Sequence, residues 1–370
     1  MPDSSPPSPL NVGGQAVMEG VMMRSPRSFA VVCRSTSGEL VVKEQAWRSL
    51  WEHLGFLRWP FLRGSVVLFE SLANGMSALS FSAKVQMAGD KRESPDGDRQ
   101  AGSDEGGAGA ASEPASSGDE PGATPASSEE GAASAPSGAA SQGVRALSLE
   151  QAEGDAPSFV PVIAFSVLVA LGLFVGLPHL LTALLGYSPA SFGFHLVDGL
   201  IKAAIFLAYV AGIGLFEDIR RVFMYHGAEH KAIFTHEKGL DMTVENARLQ
   251  SRFHPRCGTS FLFIVILVSI LLFAVTLRVP IVENRILDHV IKILVKVPLL
   301  LPVAGLSYEI LRLSAKFQGF PPLVALTWPG MLLQRLTTRE PTADQLEVAL
   351  VAIQKTLWRE RLGRQEKEPA

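Results

Sequence analysis

Val160-Pro-Val-Ile-Ala-Phe-Ser-Val-Leu-Val-Ala-Leu-Gly-Leu-Phe-Val-Gly-Leu-Pro-His-Leu-Leu-Thr-Ala-Leu-Leu185 contains no Asp, Glu, Lys or Arg. About 20 apolar residues suffice for a helix to cross a bilayer. The stretch therefore reads as a transmembrane span, despite Pro161 and Pro178, and it sets the class of the whole chain. Leu196 to Phe216 is the next span; it carries Asp198 and Lys202, which at i, i+4 can pair. Ser260 to Leu277 is an uninterrupted third. Ile291 to Ile310 is a fourth and weaker one, with Pro298 and Pro302 inside. Its Lys292 and Lys296 lie near one end, where long side chains are expected to snorkel to the interface. Phe61 to Ala83 is apolar but holds Arg63, Glu70 and Asn74, and is expected to form a buried or interfacial helix.

The composition agrees. Hydrophobic residues make up 47% of the 370 and charged residues 19%, with mean hydropathy +0.23; soluble domains carry about 25% charge. The net charge of −3 conceals an asymmetry. Residues 88–157 hold 14 acids and four bases, net −10, whereas the remainder holds 22 acids and 29 bases, net +7. This Ser/Ala/Gly/Glu-rich insert has almost no large apolar residues to offset its chain entropy and is expected to be disordered. Neither the charge nor any motif points to nucleic acid. Cys33 and Cys257 form no disulfide framework, and Met1 to Leu10 lacks the features of a signal peptide.

The fold expected is a mainly α membrane protein of about four transmembrane helices with a small cytoplasmic α+β N-terminal region. Residues 1–87 supply that region, 88–157 the insert, 158–311 the membrane domain and 312–370 a cytoplasmic C-terminal part. Phe29 to Arg34 and Leu40 to Lys43, joined by Ser35-Thr-Ser-Gly38, predict a β-hairpin. Trp47 to Trp59 has helical periodicity. In the tail, Leu346, Leu350, Ile353 and Leu357 recur at helical spacing after Thr342-Ala-Asp-Gln345, a capping-box pattern. The segment Glu217 to Thr259 carries seven Lys or Arg residues and the loop Gly186 to His195 none. By the positive-inside rule the former faces the cytoplasm, as do both termini.

The chemistry concentrates in that basic segment. His226-Gly-Ala-Glu229-His230 has the H-x-x-E-H form of the inverted zincins. On a helix the two imidazoles lie one turn apart and can reach one cation, and Glu229 beside them can act as a base. Glu237 falls near the same face. His254-Pro-Arg-Cys257 repeats a ligand spacing just before the third span. His226, His230, His254 and Cys257 are thus the expected ligands of a divalent metal, with zinc the first choice. Glu229 and Glu19 are the expected catalytic carboxylates. Four filled positions would make the site structural; three would leave one open for catalysis.

Glu19 belongs to Gly13-Gly-Gln-Ala-Val-Met-Glu-Gly-Val-Met-Met-Arg24, whose glycines fit neither a dinucleotide fingerprint nor a P-loop. It reads as a turn, or as a loop closing over the metal site. This run, with Gly-Ala-Glu-His-Lys (227–231), Thr-Val-Glu-Asn (243–246), His-Pro-Arg-Cys-Gly-Thr-Ser-Phe (254–261), Ser-Tyr-Glu (307–309) and Leu-Gln-Arg-Leu-Thr-Thr-Arg-Glu-Pro (333–341), resembles the YqhQ-like family. The resemblance covers all but the insert and the extreme ends. It implies a bacterial inner-membrane protein of the kind described as metal-dependent enzymes, without naming a substrate. Glu309, Arg335 and Glu340 fall in those motifs, Glu309 with Arg312 or Lys316 as candidate ion-pair partners. The expected activity is metal-assisted hydrolysis of a membrane-associated substrate, with the lipid bilayer as partner and oligomeric state open. A scaffold or assembly factor with a structural metal is the alternative. A transporter has less support, with few intramembrane charges and no internal repeat.

Overall fold

The computed structural model describes residues 12–47, 59, 62–93, 144–146, 160–277, 279–317 and 320–365. The expected helix Trp47–Trp59 lies outside the described residues, apart from its two end positions.

Four antiparallel strands come first: β1 (Gly13–Val17), β2 (Gly20–Arg24), β3 (Ser28–Arg34) and β4 (Leu40–Ala46). The expected hairpin is β3–β4, with Arg34 opposite Leu40. The glycine-rich run is not a loop but a second hairpin. Val17 pairs with Gly20, leaving Met18 and Glu19 as its two-residue turn. Such turns favour Asn-Gly or Asp-Gly because they need positive φ. Here Glu19 adopts φ 47°, while its carboxylate takes hydrogen bonds from Arg221 (2.5 and 2.6 Å) and the Tyr225 hydroxyl (3.2 Å).

Both sheet faces are buried, with the period-2 alternation of strands. Val21, Met23, Val32, Leu40 and Val42 face one apolar cluster; Val17, Met22, Val31, Cys33 and Val41 face the other. The second cluster is closed by Ala78, Phe81 and Val85 of α1 (Leu62–Glu93). A three-residue edge strand, β5 (Val144–Ala146), pairs parallel to β4. Helix α1 also runs on to Glu93. At these two places the stretch expected to be disordered is regular structure.

Helices α2 (Val160–Leu171) and α3 (Leu177–Leu184) form one rod through a π-helical turn at Gly172–Gly176, just before Pro178. A wider turn here accommodates the proline, which lacks an amide donor. Beyond them lie α4 (Phe192–Ile213), α5 (Glu217–Glu237), α6 (Val244–Arg248), α7 (Gly258–Thr276), α8 (Arg285–Lys316), α9 (Pro321–Thr337) and α10 (Ala343–Gln365). The capping box at α10 forms as expected: Thr342 N–H donates to Gln345 Oε1 (3.0 Å) and Gln345 N–H to Thr342 Oγ1 (3.4 Å). Helices α5 and α10 pack on the sheet face opposite α1, so the sheet, the histidine-bearing helix and the C-terminal helix form one body.

Among the described residues, four helical stretches are long and apolar enough to cross a membrane: Arg63–Ala88, Ala164–Leu184, Phe192–Ile213 and Arg285–Ser314. This set differs from the expected one. Helix α7, at the expected third span, runs 19 residues without a charged side chain, about 29 Å at 1.5 Å per residue, close to the bilayer core of about 30 Å; the apolar stretch Phe261–Thr276 lies within it. Helix α1 also qualifies by length, yet its second half is the floor of the sheet. Its first half packs on α8, where Arg63 pairs with Glu309. Glu309 thus has Arg63 of α1 as a described partner, a pairing outside the Arg312 and Lys316 candidates.

Lys292 and Lys296 do not snorkel: they are 1% and 0% exposed. Lys296 Nζ lies 3.1 Å from Asp198 Oδ2 and 3.0 Å from His179 Nδ1, and His179 Nε2 is 2.9 Å from His289 Nδ1. Lys202 reaches Asp198 at 3.5 Å, and Lys292 reaches Asp288 at 3.0 Å. Acids on α4 and α8 and a histidine on α3 stabilise the ammonium groups inside, so they need not reach the interface. Removing one partner of a buried pair typically costs about 3–5 kcal/mol, because the other charge stays buried alone. Asp198→Leu is therefore expected to lower the thermal unfolding midpoint of the purified protein sharply. Adding Lys296→Met should recover part of the loss. An unchanged midpoint in the single variant would contradict this packing.

Candidate metal centre

Helix α5 starts at Glu217 and runs without a break through Glu237, so His226 and His230 stand one turn apart as their spacing requires. Their rings lie 4.5 Å apart, centroid to centroid. Cys257 caps α7, its Sγ accepting from the Thr259 amide (3.5 Å) and hydroxyl (3.3 Å). One nitrogen of each histidine and Cys257 Sγ lie within 4.8 Å of one another, with His226 Nε2 3.2 Å from Cys257 Sγ.

Each histidine is oriented by a backbone carbonyl: His226 Nδ1 lies 2.8 Å from Thr337 O, and His230 Nδ1 lies 2.5 Å from Arg252 O. With Nδ1–H donating to a carbonyl, the lone pair is on Nε2, the arrangement usual for metal-binding imidazoles. His230 Nε2 has no hydrogen-bond partner among the described residues. Burial lowers the His230 pKa, keeping the ring neutral despite Cys257 nearby. For Cys257, burial acts upward but is outweighed by His230 and Thr259, so the thiol lies below its ordinary value. Cys33 contrasts with it: burial, with Glu19 adding to the effect, pushes that thiol up to about 12. The nitrogen and sulfur donors and the orientation of the two imidazoles fit a borderline-soft divalent cation.

Glu229 is fully buried beside the cluster, against Gly14 of β1. A Cβ on Gly14 would stand 2.8 Å from the Glu229 carboxylate, so only glycine lets the strand lie this close. Burial, with Cys257 adding to it, raises the Glu229 pKa to about 8 against the opposing pull of His226 and the Gly14 amide. Oε2 has no hydrogen-bond partner among the described residues.

Of the three other expected site residues, Glu229 adjoins the group His226, His230 and Cys257, and two have partners of their own. His254 is buried, but both ring nitrogens are engaged: Nδ1 accepts from the Arg256 amide (3.2 Å) and Nε2 lies 3.4 Å from Glu237 Oε2. Burial lowers its pKa to about 4. Glu237 also pairs with Arg256, so the acid near the histidine face holds the H-x-x-C segment in place. Glu19 is held by Arg221 and Tyr225 of α5.

The segment that begins at Thr337 closes the site from behind; its Glu340 stands out in the sequence as an acid within a motif, but the carbonyls and amides that do most of the holding give no such signal. Thr337 O meets His226, Thr338 O accepts from Arg252 (3.1 Å), Arg339 N–H donates to Phe223 O (2.8 Å), and Glu340 pairs with the buried Lys231 at 2.5 Å. Gln334 brackets His254, accepting from its N–H (2.8 Å) and donating to its carbonyl (2.7 Å). The Leu333–Pro341 motif is thus the scaffold of the histidines. Its approach depends on Gly227, where a Cβ would lie 2.1 Å from the Arg339 carbonyl oxygen.

The fold and site define a mainly helical protein with long apolar helices and an N-terminal antiparallel sheet that carries a His/His/Cys cluster between α5 and α7. Residues 59–359 match the family described as "Protein of unknown function (DUF1385)", and the chain belongs to that family. It is similar to "Uncharacterized protein YqhQ" of Bacillus subtilis (strain 168), 30% identical over 362 residues, covering 98% of this chain and 97% of that one. No solved structure matches.

Ala favours a helix over Gly by about 1 kcal/mol, so Gly227→Ala would stabilise α5 if nothing touched the site. The backbone contact reverses that sign. The variant is expected to be destabilised by about 1–3 kcal/mol, measured as a lower unfolding midpoint; a higher one would contradict the contact. A second expectation concerns pH. An unfolded glutamate titrates at about 4.3, whereas folded, metal-free Glu229 holds its proton to about 8. Between these values the native state binds the extra proton, so stability falls as pH rises. Glu229→Gln should remove this component of the slope in metal-free protein, and identical slopes for both proteins would count against it.

Proposed function

We propose that this chain is a metal-dependent hydrolase of the bacterial inner membrane. Its site lies at the cytoplasmic face and its termini are in the cytoplasm, the side assigned by the basic residues of 217–259. His226, His230 and Cys257 would hold one divalent cation, zinc by the donor set, leaving a fourth position open. When bound there, the ion would supply Lewis acidity toward a carbonyl or phosphoryl oxygen. Glu229 holds and passes a proton through Oε2, with its carboxylate fixed against Gly14. Thr337 and Arg252 hold the imidazoles in the required tautomer. The lipid bilayer is the surrounding partner, the substrate is membrane-associated, and no nucleic acid is involved.

The carrying observation is the juxtaposition of three oriented ligand atoms with a buried, unpartnered carboxylate oxygen. A closed structural site has no use for that carboxylate. The scaffold reading draws on Cys257: it caps α7 and contacts α5, so a metal there would also staple the two helices. The two readings part on the activity of the metal-bound protein. Metal analysis of protein purified without chelators is expected to give about one equivalent of divalent metal, as one such cluster requires. His226→Ala should lose it. Glu229→Gln should retain it and lose hydrolysis of generic ester substrates by about 100-fold or more. Metal-free wild-type protein would overturn the proposal; wild-type protein that holds the metal but hydrolyses nothing would leave the staple, and a fully active Glu229→Gln would refute the role of Glu229.

A further inference from the structure

A cavity of about 800 Å³ opens between the β1–β2 hairpin, α1 and Tyr308 of α8. It adjoins the metal centre through two of its lining residues. Gly14 faces the cavity and touches the Glu229 carboxylate, and Arg256 directly precedes Cys257. Its lining contains three arginines, Arg24, Arg27 and Arg256, and no acid. Two of these are held in place: Arg24 pairs with the buried Glu70 (3.2 Å) and stacks on Trp47, and Arg256 pairs with Glu237. Arg27 stands exposed at the rim. Asn74 of α1, one turn after Glu70, is 7% exposed, lines the cavity and has a buried Nδ2 with no hydrogen-bond partner among the described residues. Leaving such a donor unmade costs about 1–3 kcal/mol, so an acceptor placed in the cavity would be stabilised by it.

A ligand for this cavity is anionic and rich in acceptors. Phosphate offers several oxygens to guanidinium forks, the pairing for which arginine is best suited. The size admits more than the phosphate alone. On its opposite side α1 presents Phe69, Leu72, Met76 and Leu79, exposed at helical spacing, so one helix separates the cavity from an apolar outer surface. We propose that the cavity binds a phosphoester and presents it to the metal centre. The chemical step after binding rests on the hydrolase reading: the P–O ester bond breaks, water giving its hydroxyl to phosphorus and a proton to the leaving alkoxide.

Binding itself is tested apart from hydrolysis, on full-length protein in detergent stripped of metal by a chelator. The readout is the unfolding midpoint titrated with dioleoyl phosphatidate, sn-glycerol 3-phosphate or dioleoylglycerol. Saturable stabilisation by phosphatidate alone assigns a lipid ligand; equal stabilisation by glycerol phosphate assigns a soluble one. Arg27→Glu and the cavity-filling Ser71→Trp, both outside the metal cluster, should weaken it about tenfold each. No stabilisation by either phosphoester, the same stabilisation by dioleoylglycerol, or undiminished binding in both variants overturns the proposal. Binding that persists in metal-free protein lacking any hydrolytic activity when reloaded would keep the phosphoester site and refute the hydrolase.

Discussion

The carbonyl oxygen of Arg339 lies against the Cα of Gly227, in space that any side chain would fill. This contact lets the 337–340 segment run along α5, and most of the site depends on it. Thr337 O can then take the His226 Nδ1 proton, Arg339 can bond to Phe223, and Glu340 can reach the buried Lys231. The same chain continues directly into α10, which covers one face of the sheet whose first strand carries Gly14 against Glu229. Helix α5 is therefore clasped on two sides by backbone, the tail at Gly227 and β1 at Glu229, and its histidines are left with one direction in which to point. Geometry fixed by main chain rather than by long side chains is what a site needing positional precision requires.

A second constraint operates in the apolar helices. Two acids and three lysines of α4 and α8 pack with His179 of α3 and His289 of α8, the ion pairs spanning 3.0–3.5 Å. Phe273 of α7, which lies beside Lys202 and Lys296, is 16 residues from Cys257, or about 24 Å along the helix. The charge cluster and the His/His/Cys group thus occupy opposite ends of α7. Helices that must bury such charges are committed to specific neighbours, since an apolar surface alone would let them slide. This fixes the bundle beneath the cysteine that caps α7.

Much of this is legible in residue patterns. The β3–β4 hairpin, the α10 capping box, the apolar rods and the histidine pair on one helix all rest on local periodicity or fixed spacing. The features that escape such reading depend on long-range contact. The glycine-rich run reads as a turn or a loop, but Met18-Glu19 lacks the Asn-Gly or Asp-Gly signal that would place a two-residue hairpin there; the positive φ of Glu19 accompanies ties to Arg221 and Tyr225, some 200 residues away in sequence. Lys292 and Lys296 read as snorkelling because Asp198 and His179 lie on other helices. His254 has ligand spacing to Cys257, yet Arg256 and Glu237 occupy its ring nitrogens. The Thr337–Glu340 segment contributes mainly carbonyls and amides, and every residue has those; only the glycine opposite it hints at a close approach.

Everything proposed for the site requires that His226, His230 and Cys257 share one metal ion. Zinc-edge X-ray absorption of the purified protein decides this, because it reports ligand type and distance independently of any substrate. One sulfur at about 2.3 Å and two imidazole nitrogens at about 2.0 Å are expected, with a further light-atom scatterer in the open position. A shell of nitrogen and oxygen without sulfur, or a sulfur signal that survives Cys257→Ala, would contradict the shared site.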